Sequence, residues 1–500
     1  MPSQGSSSRP RPVPGAWDRK LLPLLVAAAL AAPVQAADLL TITRDALDNS
    51  AELASSRSVF ASVEEGRNVQ RGDLLPQVGA TASLAHNRTY EQSTFAGDIG
   101  TESSVQSTSG GGSTSAGVGE DNYNTTSVGL EATQALFDAT NWFELQRAEE
   151  EIDQQAFSLE ATRQQLLFDV SEAYFEILRA YDVLEARIAQ ERAIGRQLEQ
   201  AREQFEVGLI AITDVQEARA AADLARAERI AAQSDLQVSF EALERLTGKR
   251  YESIEGLADE LPIESPIPSS RSAWVSLAME NNPTLLATQA AIDVANRDVD
   301  IAQSGHLPTL DAFARYDYSD VDYLDGNNSA SQVGLTANWP LFTGGRTSAQ
   351  VDQATYLLES SQYDFESQRR ETVRQVRSLL TQVKNDVAAV EARRQAIVSN
   401  RSALEATRSG YEVGTRNIVD VLDAEQSLYN ALADYAEARY TYVIDILALR
   451  RESGILDVRD IRALNEWLRE ESEVHLELPE DENYDAVMDI GEPPTPPQSR

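Results

Sequence analysis

The 500-residue chain contains no cysteine, which rules out structural disulfides, thiolate metal sites and thiol catalysis. Histidine is almost as scarce. His86, His306 and His475 are scattered without ligand spacing, so they read as surface or junction residues, and neither a metal nor another cofactor is implied. Positive charge is outweighed, with 43 Lys and Arg against 80 Asp and Glu and a net charge of −37. Phosphate binding needs a basic surface, so nucleic acid is excluded as a partner. No nucleophile–base pair, phosphate loop or metal cluster stands out, and the many carboxylates follow solvated helix faces. The chain therefore reads as a protein that is not an enzyme.

Long apolar runs are also lacking, apart from one. Arg19 and Lys20 precede the apolar segment 21–32, and Val34, Gln35 and Ala36 follow it. A basic flank, a short apolar core and a small-residue end make a secretory signal peptide over residues 1–36. A membrane helix would need about 20 apolar residues. The expectation is an exported protein that crosses a membrane, if it does, as a β-barrel.

What is present is present twice. Ala46-Leu47-Asp48-Asn49 matches Ala278-Met279-Glu280-Asn281 at an offset of 232 (278 − 46), and Leu75-Pro76 matches Leu307-Pro308 at the same offset. Further on, Ser127-Val128-Gly129-Leu130 matches Gln332-Val333-Gly334-Leu335 at an offset of 205 (332 − 127). The first copy thus carries about 27 additional residues (232 − 205), placed in the Gly/Ser-rich stretch 101–126. That stretch has too little apolar content to pack and reads as a mobile loop.

Each copy holds two alternating segments. Val78, Ala80, Ala82 and Leu84 share one face, as do Leu310, Ala312, Ala314 and Tyr316. Val128, Leu130, Ala132 and Leu136 are matched by Val333, Leu335, Ala337, Trp339 and Leu341. Gln134 and Pro340 are expected at strand ends. This period of two fits a membrane-crossing strand, although taken alone it is more common in half-buried strands of soluble sandwiches. After the strands the period changes. Leu167, Val170, Tyr174, Ile177, Tyr181, Leu184 and Ile188 step by three and four, and Val373, Val376, Leu380, Val383, Val387 and Val390 repeat the pattern. A seven-residue repeat specifies left-handed coiled helices. Proline is absent from 142–261 and from 342–478, and a helix over 142–207 would be about 100 Å long.

The stretches FEVGLIAITDVQ and YEVGTRNIVDVL interrupt the helices. Gly208 and Gly414 suit the left-handed position just past a helix end. Thr213 or Asp214, and Asn417 or Asp420, are then expected to begin the returning helices. Four strands leave two open edges, which hydrocarbon does not tolerate. Two chains would give an eight-stranded barrel with a filled interior, three a twelve-stranded barrel wide enough for passage.

FEVGLIAITDVQ, GHLPTLD, LFTGG and YEVGTRNIVDVLDAEQSLYNA closely resemble the TolC outer-membrane efflux and secretion channels, over roughly residues 37–468. The resemblance implies an α+β membrane protein: a homotrimeric twelve-stranded β-barrel, four strands per chain, continuous with a coiled-coil α-helical barrel across the periplasm. Two tandem repeats would occupy 37–261 and 271–454, joined by a linker at 262–270. An equatorial segment would follow at 455–478, then a disordered acidic tail at 479–500. It implies an exit duct in the outer membrane, set in outer-membrane lipid and served by a periplasmic adaptor and, through it, an inner-membrane transporter. By position, Tyr411 and Arg416 would bond toward Thr213 and Asp214 as a gate latch. Asp420 and Asp423 would form two rings of carboxylates at the constriction; like charges about 8 Å apart repel by roughly 2 kcal/mol at an effective dielectric of 20, a geometry that selects cations. Val207, Gly208 and Leu209, with Val413, Gly414 and Thr415, would be the adaptor's docking tips. The alternatives are a non-conducting exported coiled-coil protein, which leaves the alternating segments unexplained, and the adaptor itself, which should carry one hairpin rather than two.

Overall fold

A computed structural model describes residues 36–91, 119–257, 262–321 and 327–475. The expected signal peptide, apart from Ala36, and the acidic tail lie outside the described residues. In the first half, α1 (Leu39–Asn49) and α2 (Ala51–Asp73) lead to strands β1 (Gln77–Glu91) and β2 (Gly119–Phe137). Helices α3 (Ala139–Glu206) and α4 (Ile212–Thr247) follow, then strand β3 (Ser253–Leu257). The second half repeats the order with α5 (Arg271–Asn281), α6 (Pro283–Ser304), β4 (Thr309–Val321), β5 (Asn327–Asn338), α7 (Arg346–Glu412) and α8 (Ile418–Glu452). Helix α9 (Val458–Asn465) and strand β6 (Leu468–His475) complete it.

The matched Asp-Asn and Glu-Asn segments mark the same joint in both halves. Ser50 ends α1 and its hydroxyl accepts from Leu53 N at the start of α2. Asn282 does so for α6 through Leu285 N, with Pro283 at the first helical position, where no N–H is needed.

The four long strands form one antiparallel sheet in the order β1-β2-β4-β5. Its register turns the alternation into two faces: Val78, Ala132, Ala314 and Val333 lie in one row across all four strands, and Gly79, Glu131, Arg315 and Gln332 in the next. The first row belongs to an apolar face whose Val78, Leu84, Val333 and Leu335 are exposed. The second is polar, with Arg315 Nη2 bonded to Glu131 Oε1 at 2.5 Å. Residues 119–126 depart from the expected loop, for they pair with 84–91 and continue β2. Polar cross-strand contacts run along that extension, His86 Nδ1 to Asn124 Oδ1 at 2.8 Å and Asn87 to Thr125 at 3.0 Å. Trp339 and Leu341 were also expected on a strand, but β5 ends at Asn338, before the proline that lacks a donor. The Trp339 indole instead donates to the carbonyl of His306.

Helices α3 and α7 run 68 and 67 residues, so the long helices read from proline absence are real. Each forms a hairpin with its successor, and α8 and α6 both pack on α3. The coiled seam is buried at Leu167, Val170, Tyr174, Ile177 and Leu184, and again at Val376, Leu380, Val383 and Val390. Around the middle of α3 the core thickens with Leu39, Ile42, Phe175, Trp274, Tyr440 and Val474. There β3 and β6 pair in a second small sheet, and the Tyr174 hydroxyl donates to Glu255 O at 2.6 Å. Among the described residues no helix is long and apolar enough to cross a membrane.

Candidate functional site

The two hairpin tips are built alike. At the end of α3, Gly208 takes φ +77°, its N–H donates to Phe205 O at 2.9 Å and Leu209 N donates to Gln204 O at 2.8 Å. At the end of α7, Gly414 takes φ +79°, with Gly414 N to Tyr411 O at 2.9 Å and Thr415 N to Gly410 O at 2.8 Å. This pair of bonds closes a helix on a left-handed residue, and glycine adopts that conformation without a Cβ clash. The side chains flanking the glycines point into water: Val207, Leu209 and Val413 are 71%, 74% and 75% exposed.

The returning helices start differently. Asn417 caps α8 reciprocally with Asp420, Asp420 N to Asn417 Oδ1 at 2.8 Å and Asn417 N to Asp420 Oδ2 at 3.1 Å. For α4 the cap is neither Thr213 nor Asp214 but Ala211, with no side-chain bond. Both expected capping residues lie within the first turn of the helix, where the Thr213 hydroxyl reaches only Asp214 at 3.4 Å.

Above the tips, polar contacts tie the second hairpin to α3 in a ladder. The Tyr411 hydroxyl donates to Gln204 Oε1 at 2.8 Å. Gln197 Nε2 donates to Glu425 Oε1 at 3.1 Å, Arg187 Nη1 to Asn430 Oδ1 at 2.7 Å, and the Tyr440 hydroxyl to Asp182 Oδ2 at 2.9 Å. Burial, and then the charge of Asp214, hold the Tyr411 hydroxyl above the usual tyrosine range, so it stays a donor at physiological pH. Within the chain, then, Tyr411 finds Gln204 rather than Thr213 or Asp214. Arg416 faces its own helix partner Asp420 at 3.8 Å, a surface contact of little energy. Asp420 is half-buried and Asp423 exposed, one turn apart on α8.

At the opposite end, where strands meet helices, Leu75, Leu136, Phe137, Trp142, Trp339, Leu341 and Phe342 are all exposed. The polar face of the sheet bounds a recess of about 670 Å³ lined by Gln77, Glu131, Asp311, Phe313, Arg315 and Gln332.

The sequence profile described as "Outer membrane efflux protein" matches residues 42–249 and 274–454. The chain belongs to the outer membrane efflux protein family. The outer membrane protein TolC of Vibrio cholerae serotype O1 is 35% identical over 460 residues, covering 90% of this chain and 99% of that protein. The alkaline protease secretion protein AprF of Pseudomonas aeruginosa is 31% identical over 303 residues, covering 60% of this chain and 63% of that protein. The CmeC outer membrane channel of Campylobacter jejuni shares the fold, with a TM-score of 0.70 at 16% identity over 92% of this chain and 98% of that one.

This efflux-family protein is thus an exit duct of the outer membrane that reaches into the periplasm, and its family is not one of enzymes. The non-conducting coiled-coil alternative has no place for its membrane-length sheet. Seven residues of its ladder went unread in the sequence: Gln204, Gln197, Glu425, Arg187, Asn430, Asp182 and Tyr440. Glu425 did carry a signal. It stands four residues after Val421 and three before Leu428, both buried, and a charge at a position of the apolar seam is out of pattern.

Proposed function

We propose that three copies of this chain join their four-stranded sheets into one twelve-stranded barrel in outer-membrane lipid, with the helical hairpins forming a tunnel through the periplasm. The observation that carries this is the sheet itself: one face apolar and exposed, one polar, and strands β1 and β5 at its two edges with no outer neighbour among the described residues. Unpaired backbone groups cost several kcal/mol each in hydrocarbon, and identical copies remove both edges at once. The belt of Trp142, Trp339 and Phe342 fits the lower membrane interface.

The duct conducts passively what an inner-membrane transporter delivers through a periplasmic adaptor: small toxic compounds, or polypeptides of the type I secretion class, the latter supported by the name of the AprF relative. Val207, Gly208, Leu209, Val413, Gly414 and Thr415 are the adaptor's docking tips. The gate is closed by the second-repeat hairpin, with Tyr411 on Gln204 and Arg416 reaching Thr213 and Asp214 of a neighbouring copy. Asp420 and Asp423 ring the constriction.

Two measurements test this reading. Detergent-solubilised protein should migrate as a heat-modifiable trimer, and a monomer without closed sheet would sink it. Tyr411→Phe with Arg416→Ser should raise single-channel conductance in planar bilayers; an unchanged channel removes the latch.

A further inference from the structure

Glu425 is the only charged residue among the described residues that is buried, with its side chain 0% exposed. Its helix neighbours Val421, Leu422 and Leu428 belong to two small apolar cores, one where the hairpins meet and one inside the α7–α8 hairpin. Oε1 receives two donors from two different helices: Arg408 Nη2 of α7 at 2.6 Å and Gln197 Nε2 of α3 at 3.1 Å. Oε2 is buried and accepts no hydrogen bond from the described residues. The first repeat has nothing comparable, since the positions matching Arg408 and Glu425 at the tip offset of 206 are Arg202 and Arg219, both arginine.

A carboxylate half satisfied and out of water is held there by its counter-ion. Taking one partner away from a buried pair is strongly destabilising, because the remaining charge is left dry and alone, whereas neutralising both is often tolerated. Hairpin separation offers that lone charge a way back to water.

We propose that Glu425 is a positioning residue of the periplasmic gate: paired with Arg408 it ties the second hairpin to Gln197 of the first, and unpaired it drives the two hairpins apart. This rests on the gate reading above. It makes the Glu425 carboxylate, beside the partly exposed Arg408, a two-state element, dry and paired when the tunnel is closed, hydrated when it is open. It also requires removal of the arginine and removal of the arginine together with the acid to have opposite results, which a merely structural contact would not.

The test is single-channel recording of the full chain, purified and reconstituted in planar bilayers, with Tyr411→Phe/Arg416→Ser as reference. Arg408→Ala should raise the open fraction by about tenfold or more, the scale of a lost buried partner. Arg408→Ala/Glu425→Gln should return to the parent value, and Arg408→Lys, which keeps the charge, should stay closed. Gln197→Ala, which cuts only the tie to α3, should give a smaller rise and serves in place of Arg408→Ala if that variant does not assemble. A double variant as open as Arg408→Ala would overturn the proposal. So would unchanged Arg408→Ala and Gln197→Ala channels beside a more conductive reference, which leaves the gate itself standing. If the reference is unchanged as well, the gate reading falls with it.

Discussion

Asp386 on α7 and Asp445 on α8 form a half-buried acid pair, and burial together with the neighbouring carboxyl pushes Asp386 up to about 7. Ala180 and Ser239 hold the matching positions of the first repeat (offset 206), so only the second hairpin carries this pair. Lys384, two residues away, is turned to the carbonyl of Ser269 at 3.0 Å and does not neutralise it. An unfolded aspartate ionises near 3.9. Between about pH 4 and about pH 7 the native state therefore holds a proton that the unfolded chain releases, and stability falls as pH rises through that window before levelling off. Asp445→Asn should raise the Tm at pH 8 and lose most of that advantage at pH 5; a shift equal at both pH values would mean the like charge is not the cause. Nearer the tips, Asp420 and Asp423 are matched to a different experiment. Replacing both with Ala should abolish block by a trivalent cation added from the periplasmic side, and persistent block would put the cation rings elsewhere.

The hairpin tips are the elements in which local sequence and local structure agree most closely. Valine followed by glycine, at 207–208 and 413–414, was enough to place both turns, because the left-handed residue at a helix end is a local demand. The N-terminus of α4 was not legible, since Ala211 supplies no side-chain cap and two nearby polar residues offered a plausible but wrong start. The space where a Cβ at Gly414 would sit is open, so a side chain starts there without a clash at its first carbon, and the left-handed backbone costs about 1–2 kcal/mol. Gly414→Leu should therefore leave the proposed trimer intact on heat-modifiable gels while abolishing efflux in a drug-accumulation assay. Normal efflux from that variant would move the adaptor's contact away from the tip. Strand β2 teaches the complementary lesson. Residues 119–126 looked too polar to fold, yet a partner strand already in register pairs with each of them along one side.

For the whole molecule, the two faces of the sheet make the sharpest claim. Val333 and Gln332 are neighbours on β5 with opposite orientations. If the proposed barrel forms, Val333→Arg should weaken the trimer, since an arginine on a lipid face costs about 2–4 kcal/mol near the bilayer midplane, whereas Gln332→Arg should alter ion selectivity and leave heat stability unchanged. Equal effects would mean that the apolar face does not meet lipid. The periodicities of two and seven, the duplication and the glycine turns were all determined by the sequence alone, because each is set by the spacing of residues along a single element. Which side chains meet was decided only in the tertiary structure. Tyr411 chose Gln204, Glu425 became dry between Arg408 and Gln197, and β3 found β6 across the whole second repeat. Such pairings depend on how long helices lie against one another, and a shift of one turn would have given each of these groups a different neighbour.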